Sequence, residues 1–201
     1  MTKIKICGLK RQCDIDYVNE CRPDYAGFIL SKPFFRYISP ENARRLISSL
    51  NSDIQPVGVF VNEPTEYVIN SVKTANIGII QLHGNEDNEY IKLLKAKINL
   101  PIIKAFKVKS ESDIAAAKKS VADYVLLDSG TGTGITFDWS LISNIGRDFF
   151  LAGGINAENA KNAIEKHHPY ALDASSGAET DGVKDKAKIE KLIKAVRSFR
   201  Q

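Results

Sequence analysis

The chain has 201 residues, 43% of them hydrophobic and 26% charged, and a formal net charge of +4. That is the length of one domain with a sizeable core, and its lysines are spread along helical patterns with no dense basic run, so the charge makes no case for nucleic acid. No apolar run reaches the ~18 residues of a membrane span, the N-terminus turns polar too early for a signal peptide, and the three cysteines lack metal-type spacing and read as free thiols in a reducing cytoplasm.

In chain order, the pattern gives eight repeats of strand followed by helix. Lys3 to Leu9 is the first strand and Gln12 to Cys21 its helix. Tyr25 to Leu30 is the second strand. Ser39-Pro40-Glu41 then opens a helix to Leu50, with Ser39 as cap and Pro40 in the first turn. Pro56 to Val61 is followed by a helix from Pro64 to Ala75. Gly78 to Leu82 ends at His83-Gly84, before a helix over Asp87 to Ile98. Ile102 to Phe106 precedes a helix from Ser112 to Ser120. Tyr124 to Leu127 ends at Asp128, ahead of a glycine-rich loop and a short helix from Trp139.

The seventh unit is the apolar run ending at Leu151, then Gly153-Gly154, with Asn156 as the cap of a helix that follows at once. The eighth strand, from Tyr170, ends in Ser175-Ser176-Gly177. The last helix runs from Asp185 to Phe199. Strict alternation predicts a parallel sheet. Eight units with short connections favour a closed (β/α)8 TIM barrel, an α/β fold, as a single domain over residues 1–201.

Gly153 and Gly154 leave the backbone bare at a strand end, where free N–H groups suit an anion. Ser175, Ser176 and Gly177 repeat that arrangement one strand later. In such a barrel the phosphate site lies after strands seven and eight. The spacing Gly130-x-Gly132-x-Gly134 is not a dinucleotide fingerprint, and no Gly-Lys-Ser/Thr phosphate loop is present. Catalysis in these barrels sits at the C-terminal ends of strands. That rule selects Cys7, Arg36, His83, Asp128 and Asp173. Period two puts Lys5 on the same side of its strand as Cys7.

These residues carry a specific resemblance along nearly the whole chain. Lys5-Ile6-Cys7-Gly8-Leu9 resembles the opening strand of the phosphoribosylanthranilate isomerase family of tryptophan biosynthesis. Gly27-Phe28-Ile29 with Arg36-Tyr37-Ile38-Ser39-Pro40, Val57 to Asn62, and Gln81-Leu82-His83-Gly84 are similar to its next three units. Leu126-Leu127-Asp128 with Gly132-Thr133-Gly134 and Thr136 to Trp139 resembles the sixth. Leu151 to Ile155 and Asp173 to Glu179 resemble the last two.

The resemblance implies an isomerase that performs an Amadori rearrangement on a phosphosugar substrate. Asp128 would be the general acid and Cys7 the general base. Arg36 would hold the anthranilate carboxylate, a planar anion suited to a guanidinium. His83 would stand near the substrate and Asp173 would meet a ribose hydroxyl. No cofactor and no metal is implied, and the assembly would be a monomer or homodimer.

A thiol base needs its pKa lowered, and the Lys5 ammonium is expected to stabilise the thiolate. Lys10, Pro33-Phe34-Phe35, Thr131 and Ile135 depart from the family's usual residues; the two phenylalanines are suited to packing the anthranilate ring. Two alternatives remain. One is the histidine-pathway isomerase with the same chemistry, which resembles a pair of strand-end aspartates and needs a second phosphate loop. The other is a non-catalytic phosphosugar-binding barrel, which needs neither Cys7 nor Asp128.

Overall fold

The computed structural model describes residues 1–128, 142 and 145–199. Its elements alternate as the hydrophobic periods require: β1 (Lys3–Cys7), α1 (Gln12–Cys21), β2 (Tyr25–Ile29), α2 (Pro40–Ile47), β3 (Gln55–Phe60), α3 (Thr65–Ala75), β4 (Ile79–Leu82) and α4 (Asn88–Lys97). They continue as β5 (Ile102–Lys107), α5 (Glu111–Lys118), β6 (Tyr124–Asp128), β7 (Phe149–Leu151), α6 (Ala160–His167) and β8 (Ala171–Ala174). A 3₁₀ turn at Ser176–Ala178, a small hairpin of β9 (Glu179–Thr180) and β10 (Val183–Lys184), and α7 (Lys186–Arg197) complete the order.

Strands β1 to β8 pair in parallel with their sequence neighbours, and β1 pairs β8, so the sheet closes into a barrel. Residues alternate across the barrel wall because a strand's side chains alternate. Ile4 and Ile6 of β1 and Leu172 of β8 face outward and are buried under the helices. Val57, Ile103, Leu126 and Phe150 fill the interior. The mouth at the strand N-termini is closed by an aromatic group in which Tyr124 stacks on Tyr170 at 5.0 Å and Phe150 meets Tyr25 at 5.5 Å. Lys3 Nζ bonds the hydroxyls of Tyr25 and Tyr170 there. The opposite mouth is left for the loops that build the site.

Local signals account for most helix starts. Ser39 accepts from the Asn42 amide with Pro40 in the first turn, as expected, and Asp87 and Asp185 cap α4 and α7 in the same way. The start of α6 differs from the sequence expectation. Asn156 does not cap it; its side chain accepts from the amides of Glu158 and Asn159, making a turn that delays the helix to Ala160. Asn is as good a turn former as a cap. The hairpin of β9 and β10 is also absent from the sequence reading. The glycine-rich loop and the helix at Trp139 lie outside the described residues. No helix among the described residues is long and apolar enough to cross a membrane.

Candidate active site

The C-terminal mouth of the barrel holds a cavity of about 320 Å³. Cys7, Arg36, His83, Asp128, Asp173, Gly153, Gly154, Ser175 and Ser176 all line it. Nine of the ten residues singled out from the sequence therefore converge on one space. The tenth, Gly177, stands behind it, packed against the carbonyl of Ile155 from the neighbouring loop.

Cys7 ends β1 and is buried. Burial pushes its thiol above the ordinary range, Lys5 and Lys184 pull it down, and Asp173 adds to the rise. The expectation that Lys5 lowers the thiol holds for the direction of its own influence, yet the sum in the free protein favours the neutral thiol. The reason is visible in the barrel: Lys5 is fully buried and both carboxylate oxygens of Asp173 accept from its Nζ at 2.9 Å. The ammonium is shared between a carboxylate and the thiol. Burial works against that ammonium, but Asp173 and Cys7 outweigh it and leave its pKa raised.

Across the cavity, Asp128 ends β6, and its Oδ2 lies 3.2 Å from Nε2 of His83. Nδ1 of the same ring lies 2.9 Å from Nε2 of Gln81. Gln81, His83 and Asp128 thus form a line of three polar side chains. Gln81 is buried, and its Oε1 has no hydrogen-bond partner among the described residues. Period two along the strand puts Gln81 on the same side as His83.

Arg36 arrives on the loop after β2. Its Nε and Nη2 donate to the two oxygens of Glu179 at 2.8 and 2.6 Å. Lys184, also buried, donates to the same carboxylate and to the carbonyl of Ser175 at 3.1 Å. Burial opposes the charge on Glu179, but the bonds from Arg36 and Lys184 prevail and hold its carboxyl below the usual range.

Sequence reasoning missed Glu179 and Lys184 as parts of the site. The signal was present in Thr180-Asp181-Gly182-Val183: an Asp-Gly pair is the favoured turn of a two-residue hairpin. Asp181 and Gly182 both take positive φ, at 51° and 76°, and the turn sets Lys184 opposite Glu179.

The anion cradle is built from two adjacent loops. Gly153 and Gly154 turn with φ of 87° and 68° at the end of β7. Asn159 ties that turn down by donating from its side chain to the Gly154 carbonyl at 2.8 Å. Ser175 donates to the carbonyl of Cys7 at 3.1 Å, joining the β8 loop to the β1 end.

Fold and site together define a (β/α)8 barrel with titratable groups gathered at the strand C-termini, where barrels of this class place their catalysis. Residues 4–195 match the family model described as N-(5'phosphoribosyl)anthranilate (PRA) isomerase, and the chain belongs to that family. An N-(5'-phosphoribosyl)anthranilate isomerase of Endomicrobium trichonymphae is 45% identical over 204 residues, spanning 99% of this chain and 100% of its own. The crystal structure of phosphoribosyl anthranilate isomerase from Thermus thermophilus superposes with a TM-score of 0.90 at 32% identity, covering 99% of this chain and all of that one. A structure of phosphoribosyl anthranilate isomerase in complex with reduced 1-(o-carboxyphenylamino)-1-deoxyribulose 5-phosphate superposes at 0.88 with 35% identity and the same coverage.

Proposed function

We propose that the protein converts N-(5'-phosphoribosyl)anthranilate to 1-(2-carboxyphenylamino)-1-deoxyribulose 5-phosphate in tryptophan biosynthesis, with Asp128 as general acid and Cys7 as general base. The observation that carries this reading is the convergence of Cys7 and Asp128 on one cavity from β1 and β6. The family membership supplies the substrate.

In this reading Asp128 gives its proton to the ring oxygen of the ribose. The bond from C1 to that oxygen breaks, and the anilino nitrogen's lone pair forms a Schiff base with C1. Cys7, as thiolate, takes the proton from C2. The electrons of that C–H bond become the C1=C2 double bond, and the π pair of the C1=N bond returns to the nitrogen as a lone pair, giving an enolamine. Loss of the C2 hydroxyl proton and protonation at C1 then yield the ketone.

Burial and Asp173 disfavour the thiolate while Lys5 and Lys184 favour it, so the base forms more readily as pH rises. His83, bonded to Asp128, orients the acid beside the substrate. Gly153, Gly154, Ser175 and Ser176 hold the phosphate, with Gly177 closing the cradle behind them. Asp173 meets a ribose hydroxyl with lone pairs not directed at Lys5. Arg36 receives the aromatic carboxylate.

The test is the decay of substrate fluorescence with freshly made phosphoribosylanthranilate. The wild type turns over, and Cys7→Ser and Asp128→Asn each lose at least ~10²-fold. Full activity in either variant overturns that residue's role. No turnover by the wild type overturns the substrate assignment and sends the histidine-pathway aminoaldose, then simple phosphosugar binding, to the same assay.

A further inference from the structure

Arg36 is fixed from three sides, by groups that do not line the cavity that Arg36 itself lines. Its stem crosses Gly8 so closely that a Cβ there would stand 2.5 Å from Arg36 Cδ. Its Cζ lies 4.8 Å from the centre of the Phe35 ring. Glu179 takes Nε and Nη2, as described. A guanidinium is a flat fork of five donors. Its side edge, Nε with one Nη2 hydrogen, is occupied by Glu179. Its end edge, Nη1 with the second Nη2 hydrogen, remains for a second carboxylate.

Neither Glu179 nor Lys184 lines the cavity that Arg36 lines. Both are buried behind it, placed opposite one another across the β9–β10 hairpin. Two cations against one anion leave this cluster with a net positive charge, and Arg36 is its member that lines the cavity. A buried carboxylate between two cations is costly to arrange unless all its partners are in place, so this is a built support for one guanidinium.

We propose that Glu179, braced by Lys184, is the positioning residue that presents the end edge of Arg36 to the aromatic carboxylate and thereby sets the preference for a substrate carrying that group. The inference rests on the assignment of Arg36 to the substrate carboxylate. Without Glu179 the guanidinium is free to rotate its fork away from the cavity or to spend both edges on the ligand in several geometries. Either change lowers affinity for a carboxylated ligand and leaves the phosphate grip alone.

The experiment is calorimetric titration with two ligands: reduced 1-(o-carboxyphenylamino)-1-deoxyribulose 5-phosphate, and the same compound lacking the ring carboxylate. Wild type, Arg36→Met and Glu179→Gln are compared, each checked for folding by thermal melting. The carboxylated ligand is expected to bind the wild type at least tenfold more tightly than its counterpart. Arg36→Met removes that preference. Glu179→Gln reduces it at least fivefold while affinity for the ligand without the carboxylate stays within twofold.

If Arg36→Met keeps the preference, the Arg36 assignment fails and this inference with it. If Arg36→Met loses the preference but Glu179→Gln keeps it, or if Glu179→Gln weakens both ligands equally, Arg36 stands and the positioning role of Glu179 is wrong. Should Glu179→Gln not fold, Glu179→Asp decides on the same criteria, since it keeps the charge and draws the carboxylate back from the fork by one methylene.

Discussion

Lys5 and Asp173 meet inside the barrel as cross-strand neighbours of β1 and β8, with the ammonium 2.9 Å from each carboxylate oxygen and Cys7 one layer above on the lysine's own strand. Removing one partner of such a pair strands a charge in low dielectric. Lys5→Met is expected to cost about 3–5 kcal/mol, read by chemical denaturation, and Lys5→Met/Asp173→Leu to recover most of it. The thiol reports the same geometry. Lys5 pulls the Cys7 titration down and Asp173 pushes it up, so Lys5→Met moves the pH midpoint of Cys7 alkylation higher and Asp173→Asn moves it lower. An unchanged midpoint in both variants removes the electrostatic link between the pair and the thiol.

The raised thiol also shapes stability at alkaline pH. A group that holds its proton more tightly when folded contributes fully below its unfolded pKa, about 8.5 for a thiol, and loses that contribution as pH climbs above it. Cys7 is such a group. Cys7→Ala should therefore lose less stability than the wild type between about pH 8 and 10, measured as the change in melting temperature across that range.

Glu179 gives the opposite sign at the other end of the scale. Its folded carboxyl lies below the usual range because the bonds from Arg36 and Lys184 outweigh burial. Its contribution is complete above the unfolded value of about 4.3 and is lost as pH falls through the folded one. The wild type should lose melting temperature on acidification below about pH 5, and Glu179→Gln, less stable at neutral pH, should show a flatter acid limb. Parallel limbs for the two proteins would mean that this carboxylate titrates in the fold as it does in the unfolded chain, with no net pull from Arg36 and Lys184.

The barrel and most of its mouth are legible in the sequence because period-two runs, caps and strand-end residues are local signals. Ser39-Pro40 and Asp87 announce helices wherever they occur, and Cys7 and Asp128 stand out by position once the strands are placed. What was not legible depends on partners distant in sequence. Lys5 finds Asp173 and Arg36 finds Glu179 only after the sheet closes, and neither pair has a spacing that declares it. Asn156 could serve a turn or a cap, and only the loop it sits in decides. Asp181-Gly182 did signal its hairpin, yet nothing in the sequence said that the hairpin serves Arg36.

Gln81 offers a test of the acid's surroundings. Its Nε2 faces His83 Nδ1, so Nδ1 accepts and Nε2–H is left to donate to Asp128. Nitrogen-15 NMR of labelled histidine should show His83 as the Nε2–H tautomer at neutral pH. Gln81→Leu removes that constraint and at the same time removes a buried oxygen with no partner among the described residues. Its stability should stay within about 1 kcal/mol of the wild type, while the His83 resonances shift toward a mixture of tautomers. A wild-type ring protonated on Nδ1 alone would mean that the Gln81 amide is turned the other way, with Asp128 then the donor to His83.

Gly177 is where the two loops of the anion cradle touch. A Cβ there would stand 2.0 Å from the Ile155 carbonyl oxygen and 2.9 Å from its carbon. These are backbone atoms, so no side-chain rotation relieves the clash, and the loops after β7 and β8 must separate. Gly177→Ala should cost about 1–3 kcal/mol and, because Gly153, Gly154, Ser175 and Ser176 ride on those loops, should raise KM more than it lowers kcat. Gly78→Ala is the control: it lies immediately before β4, and the nearest atom to its added Cβ is the side-chain oxygen of Gln55 at 3.3 Å, which can move. That variant should change stability by less than about 1 kcal/mol and leave KM alone. A Gly177→Ala enzyme with normal KM would show that the cradle binds phosphate without the contact between its two loops.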